Sequence, residues 1–411
     1  VTASRVSELE IQFTLSSPYA FFGDTLNNLY ILPKHLFAET PPGNWHLSDY
    51  NLKPVGSGPY QFISYDKNSD GFISSFQLAA WNETIEAHPL IQNFNFDFFS
   101  DENALVQSFN NGTIDGFGNV SPADIAKITR PDNMFAWPTS AYYAVFFNQS
   151  VNLGLQDPAV REALSATLDR NALVAAALGG NGTPEYGPIP QGAANYNGAV
   201  ASGTDATAST TFAENLLDNA GWTVGSSSAF RAKTIKGVTV PLVVNLTVPQ
   251  IDFLTNTANY LRSAWQAIGV QVNITPDSSN DIVNNLIPAR NYESLLFGNV
   301  LGPSSDLYSF WDSSQDFAPG LNLSLYNNPT ANTLIERARQ NANSASSSQE
   351  LAVAQADIVA AYPAIFLYSP DYVYVTNKNV QGISTSTLLT DPSDRFREIE
   401  SWYLNTARVL K

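Results

Sequence analysis

The sequence predicts an α/β protein with at least one parallel sheet. Three observations carry this. The 411 residues are enough for two or three domains, each with a sizeable core. Hydrophobic residues make up 44% and aromatic residues 12%, as in a folded rather than a disordered chain. Most directly, the apolar strand pattern Val238–Leu246, the amphipathic helix pattern Asp252–Ile268 and the strand pattern of Val270–Thr275 follow one another. A strand–helix–strand unit of that length is a crossover between parallel strands.

The elements follow in chain order. Residues 8–14 (ELEIQFT) alternate polar and apolar, the pattern of a half-buried strand. Phe21–Phe37 reads as a helix and a turn, with Pro33 ending the apolar run. Pro54-Val55-Gly56-Ser57-Gly58-Pro59-Tyr60 is a rigid turn feeding a strand. Its two glycines are no dinucleotide fingerprint, since a strand and not a helix follows them. Further strands are predicted at Phe72–Ala79 and Phe94–Phe99. A helix starts after Asp101 and stops at Gly112, and a short one is opened by Ser121-Pro122. Ala141–Asn148 is an aromatic-rich buried strand. Asp157-Pro158 caps one long helix over Ala159–Leu178, closed by the glycines that follow. Tyr186–Pro190 is a stiff loop and Ala193–Thr210 a surface excursion. Phe212–Ala220 is a helix stopped by Gly221, with Trp222 packing behind it. After the parallel unit, Tyr292–Trp311 runs as an apolar strand, Ser294–Phe297, into a loop of Gly, Asn, Pro and Ser that ends in Tyr308 and Trp311. Two helices (Ala331–Asn341, Ser348–Tyr362) and two strands (Pro363–Tyr368, Val373–Val375) complete the order, with Arg395–Lys411 as a tail.

Composition excludes several functions. The net charge is −17 and the pI near 4.4, unlike a surface selected for phosphate backbones or anionic lipid. Charged residues are only 14%, against about 25% in an average domain. Ser, Thr, Asn and Gln take their place, as expected of an exported protein. There is no cysteine, so no disulfide frame and no thiolate site. Three histidines (His35, His46, His88) do not build a multi-histidine metal centre. No run of about 20 apolar residues occurs, and no secretory leader pattern precedes the first strand-like residues. Asn-x-Ser/Thr sequons stand at Asn82, Asn111, Asn119, Asn148, Asn181, Asn245, Asn273 and Asn322, which permits glycosylation without demonstrating it.

The order of motifs resembles the dipeptide/oligopeptide-binding family of solute-binding proteins that serve ABC importers. The matching stretches are ILPKHLF (31–37), PVGSGPYQF (54–62), FNNGTIDGF (109–117), AYYAVFFNQS (141–150) and DPAVREALSATLDRNALV (157–174). They continue with PEYGPIP (184–190), AENLLDNAGW (213–222), AWQAIGVQV (264–272), SLYNNPTANTLIERA (324–338) and YPAIFLY (362–368). The resemblance implies a two-lobed, class II venus-flytrap fold of the periplasmic-binding-protein type with an extra third domain. It implies that residues 1–70 are the remainder of the extra domain, 71–176 with 370–411 the first lobe, and 177–369 the second. Members usually carry well over a hundred residues before the position of Val1, so the first part of lobe I is expected to lie outside this chain. A separate N-terminal segment is then an expected partner, beside an ABC permease in the membrane. The expected location is outside the cell or in the periplasm, with anchoring by segments beyond this chain, and no cofactor is implied.

In peptide-binding members the loop equivalent to 296–302 carries an Arg, a Trp and an Asp, the Asp pairing with the peptide's α-ammonium. Here those positions fall on Leu296, on Asn299 and on Leu301 or Gly302, and no acid lies between Glu293 and Asp306. The expectation is therefore a neutral oligosaccharide, with a peptide as the alternative. Tyr143, Tyr186, Tyr308 and Trp311 would offer flat rings and Asn148, Asn280 and Asn299 amides. For each ring the competing reading is core packing, Asn148 is equally an exposed sequon, and Asn280 equally a turn cap. A secreted glycoside hydrolase is the competing class. It needs two carboxylates about 5 Å or about 6.5–9.5 Å apart, and among Asp277, Asp281, Glu293, Asp306, Asp312 and Asp316 no spacing singles out a pair. No GxSxG elbow is present. A surface-layer protein is the third option.

Overall fold

The computed structural model describes residues 1–84, 87–200, 209–225, 228–341 and 343–405. They divide into two compact units, Val1–Asn27 with Pro138–Asp371 and Asn28–Trp137 with Tyr372–Lys411.

The first unit is built on a six-stranded mixed sheet. Its order is Gln271–Asp277, Val243–Pro249, Ser294–Val300, Ala141–Phe147, Ala364–Pro370, Gly182–Pro184. The first three strands are mutually parallel, as the crossover pattern requires, and the remaining neighbours are antiparallel. The crossover helix Asp252–Ala267 buries Leu254, Thr257, Ala258, Leu261 and Trp265. That is one face at helical spacing. On the sheet Val244, Leu246, Leu296 and Leu367 have no exposed surface, each worth about 1.5–3 kcal/mol relative to an exposed position.

Four expectations are corrected in this unit. The long helix over 159–178 is two helices, Pro158–Ala166 and Arg170–Leu178. Asp169 breaks it, because its side chain accepts from the Ala172 N–H and so caps the second segment. The strand over 238–246 is also two. Val238–Pro241 pairs with Arg231–Ile235 across a tight turn at Lys236 and Gly237, both at positive φ, and Val243–Pro249 enters the main sheet. Pro241 lacks the N–H that would carry one strand through. Ile11–Thr14 does form a strand, but it pairs only with Thr2–Arg5 and is largely exposed. Of the predicted excursion 193–210, residues 201–208 lie outside the described residues. Ala193 and Val200, at its start, are buried rather than on the surface.

The second unit holds two three-stranded antiparallel sheets. One is Tyr60–Lys67, Ile73–Ala80, Asn93–Asp97. The other is Gly116–Gly118, Tyr372–Asn377, Asp132–Trp137. The helices Glu102–Asn110 and Pro122–Ile125 start where predicted, with Asp101 and Ser121 accepting from backbone N–H groups. Gly118 is dictated by close approach: a Cβ there would stand 1.9 Å from the Tyr372 hydroxyl. The tail beyond Asn405 lies outside the described residues.

The two units are drawn differently from the three expected domains: residues 1–27 and 138–176 group with 177–369, and residues 28–70 group with 71–137 and the chain end. Residues 138–176 pack with 177–369, because Ala141–Phe147 is an inner strand of the six-stranded sheet and Val160, Leu164, Leu173 and Val174 share its core.

Candidate functional site

The strand Ser294–Val300 is unevenly paired. Toward Ala141–Phe147 it is paired along its whole length, from Ser294↔Phe147 to Val300↔Ala141. Toward Val243–Pro249 only Ser294 and Leu295 are paired. From Leu296 onward that edge has no strand partner among the described residues. The chain then turns through residues 301–307. The Leu301 N–H donates to the Ser140 carbonyl at 3.1 Å, and the Ser305 N–H to the Gly302 carbonyl at 3.0 Å. The loop is also tied from outside. Asn195, at φ 63°, donates its amide to the Ser304 carbonyl at 3.3 Å. Asn195 is in turn held by the Ser348 hydroxyl at 2.6 Å and the Gln355 amide at 3.0 Å. Sequence reasoning missed Asn195. The only available signal was an Asn in a Gly- and Ala-rich run, a residue that tolerates left-handed backbone.

Gly298 lies opposite Tyr143 in the ladder, and the Tyr143 ring covers it. A Cβ on Gly298 would meet the ring at 2.8 Å. Tyr143 is half-buried, edge-on to Phe253 at 5.2 Å and tilted against Tyr368 at 5.8 Å. Burial raises the pKa of its hydroxyl. On the opposite face Asn299 is 4% exposed and donates its amide to the Tyr142 hydroxyl at 2.8 Å.

The remaining predicted residues have structural partners. Trp311 has no exposed surface and packs on Phe146, Phe366 and Tyr326. Tyr308 lies under the Arg339 guanidinium, 4.1 Å from ring centre to Cζ, and its hydroxyl meets Ser314 at 2.9 Å. Tyr186 lies under the buried Arg170 guanidinium at 4.7 Å. Asn148 is 2% exposed. Its amide donates to the Arg290 carbonyl, and its oxygen accepts from the Ser150 N–H and hydroxyl. The Asn148 sequon is therefore closed by the fold, as is that of fully buried Asn322. Asn280 is exposed and holds Asn284 in a local turn. Tyr143 and Asn299 thus stand near the strand end but on opposite faces, with Tyr308 and Trp311 following in the chain. Asn148 lies just past the far end of the strand Ala141–Phe147, five residues beyond Tyr143 and so about 17 Å from it at the rise of a strand.

The acids are engaged as well. Glu293 accepts from the amides of Asn152 and Asn245, each at 2.8 Å. Asp306 pairs with Arg339 at 3.0 Å. Asp316 is raised to about 6, chiefly by burial, with the charge of Asp312 adding to it and Arg290 opposing. Among the described residues no group of three or more His, Asp or Glu side chains could hold a metal ion. No helix of the described residues is long and apolar enough to cross a membrane.

Two of the best-formed cavities among the described residues are lined by none of the predicted side chains. One, of about 440 Å³, lies in the second unit among Phe94, Phe96, Phe117, Tyr374, Arg395 and Trp402. The other, of about 310 Å³, lies in the first unit beside Ser150, Arg161, Ser324 and Tyr326.

Comparison with known proteins accounts for this framework. The family profile described as bacterial extracellular solute-binding proteins, family 5 Middle, matches residues 1–318. The oligopeptide-binding protein AppA of Bacillus subtilis (strain 168) is 25% identical over 391 residues, covering 93% of this chain and 68% of the relative. The chain therefore spans about two thirds of that relative's length. The structure of AppA from Bacillus subtilis in complex with a nonapeptide superposes with a TM-score of 0.71 at 23% identity, over 98% of this chain and 78% of that one. The ABC transporter substrate binding protein CtaP from Listeria monocytogenes does so with a TM-score of 0.79 at 20% identity, over 98% and 78%. At these identities the two superpositions show the two-lobed solute-binding fold, and the fold alone.

Proposed function

We infer, from the fact that this chain belongs to the bacterial extracellular solute-binding proteins of family 5, that it captures an extended peptide and delivers it to an ABC importer. It is a binding protein and not an enzyme, as are the relative and the neighbours named above. One observation carries the peptide reading. The edge of Leu296–Val300 that faces away from Ala141–Phe147 has backbone donors and acceptors with no strand beside them. An extended peptide is the ligand that satisfies such an edge, through main-chain hydrogen bonds that do not depend on its side chains. The Bacillus subtilis relative, an oligopeptide-binding protein whose structure holds a nonapeptide, points the same way.

The oligosaccharide expectation is withdrawn in favour of the peptide alternative. It needed flat rings free to stack on sugar faces. Trp311 is core, Tyr308 and Tyr186 carry guanidinium groups on their faces, and Tyr143 is enclosed by Phe253 and Tyr368.

The test is a thermal-shift series with pooled di- to nonapeptides beside cello-, xylo- and malto-oligosaccharides. A peptide at about 100 times its Kd adds about 2.7 kcal/mol to folding, which is several degrees in melting temperature. A shift with sugars and none with peptides would overturn the reading.

A further inference from the structure

Asp306 is the only acid between Glu293 and Trp311. Its carboxylate already accepts three hydrogen bonds, one of them from a cation. One oxygen accepts from the Tyr308 N–H at 3.0 Å. The other accepts from the Arg339 guanidinium at 3.0 Å and from the Tyr19 hydroxyl at 3.3 Å. Arg339 is itself enclosed, its Cζ lying 5.3 Å from the Tyr19 ring centre and 4.1 Å from that of Tyr308. The Ala20 N–H donates to the Arg339 carbonyl at 2.6 Å, which fixes Tyr19 in this position. Asp306 keeps 18% of its side-chain surface and Arg339 31%, so the pair is partly shielded from water.

A peptide with a free amino terminus brings an ammonium that loses its water on binding. It then needs a carboxylate whose lone pairs are not already taken. Within residues 294–311 the only carboxylate is Asp306, already paired with a cation, and the unpartnered oxygen of Asp312 just beyond is buried away from any ligand. We propose that the ligand loop of this unit is blind to the charge of the peptide's amino terminus, with Arg339 as the positioning residue that withholds Asp306 from the ligand. The ligand class that follows is peptides held by their backbone, N-blocked as readily as free. This rests on the peptide reading above.

The experiment uses a pool of random pentapeptides, prepared once with free amino termini and once N-acetylated. Both are offered together to the protein, and the retained peptides are counted by native mass spectrometry. The wild-type protein retains the two forms within about twofold of each other, as expected where no ion pair discriminates. Arg339→Gln uncovers the carboxylate and shifts retention toward the free-amino form by about fivefold or more. Arg339→Lys keeps a cation on Asp306 and keeps the wild-type ratio, a readout that a merely structural role would not separate from Arg339→Gln. About tenfold preference for free-amino peptides in the wild type would overturn the proposal, as would an unchanged ratio in folded Arg339→Gln. Loss of that preference in Asp306→Asn would do so independently, by identifying Asp306 as the ammonium partner. Retention of neither form would remove the peptide reading itself, and this inference with it.

Discussion

Replacing Glu185 with glutamine is expected to stabilise the protein in alkali and to leave it unchanged in acid. Glu185 is 1% exposed, and one backbone donor, the Gln191 N–H at 2.9 Å, meets its carboxyl. Burial raises its pKa from 4.5 to about 8, with the Gln191 bond only partly opposing. Arg170 beside it gives its Nε to the carbonyls of Glu185 and Phe366 and stacks its guanidinium on Tyr186. Between pH 4.5 and about 8 the folded state keeps a proton that the unfolded chain has released. The stability tied to that proton is fully present below 4.5 and is lost as pH rises through 8. The gap, at 1.36 kcal/mol per pH unit, comes to about 5 kcal/mol. Glutamine keeps the acceptor for Gln191 and carries no charge at any pH. Melting curves of both proteins from pH 4.5 to 9.5 should coincide at the acid end. They should part by about 10 °C at the alkaline end, from about 2 °C per kcal/mol for a unit of this size. Curves that stay parallel across the range would refute the reasoning, because they would mean that water or a cation reaches Glu185 in the folded state.

Trp311→Ala should cost about 3–5 kcal/mol of stability, since it empties a ring site enclosed by Phe146, Phe366 and Tyr326; a normal melting temperature with lost ligand binding would instead make Trp311 a ligand platform. Gly298→Val should destabilise by about 1–3 kcal/mol through overlap with Tyr143, read as a lower urea midpoint. Arg161→Met should cost about 3–5 kcal/mol. It removes four donor contacts to the carbonyls of Leu155, Gln156, Ala361 and Tyr362, which are then left without them. Chemical denaturation measures that loss, and a change below about 1 kcal/mol would show that water takes over those carbonyls.

Local chemistry made much of the element order legible. Asp101, Ser121 and Asp157 mark helix starts, Gly112 and Gly179 helix ends, and the face of Asp252–Ala267 repeats at helical spacing. Asp169 and Pro241 were legible as residues but not as breaks, because an N-cap and a missing N–H act only where the surrounding packing lets the chain turn. At the candidate site the loop 301–307 was legible from its composition. The roles of the side chains were not, since an aromatic ring has the same identity whether it faces a ligand or a core.

By itself, the sequence determined the class of protein. Alternation, caps and the motif order depend on neighbours within a few residues, and they survive in a chain read one residue at a time. Only the tertiary structure decided which groups remain available for binding. Trp311 is withdrawn by rings at positions 146, 326 and 366. Asp306 is withdrawn by Arg339 and by Tyr19, 287 residues away along the chain. The edge of Leu296–Val300 is left open because the strand beside it diverges after Thr247. Availability is a property of what stands within a few ångströms, and burial and hydrogen bonding set it through contacts that sequence distance does not encode.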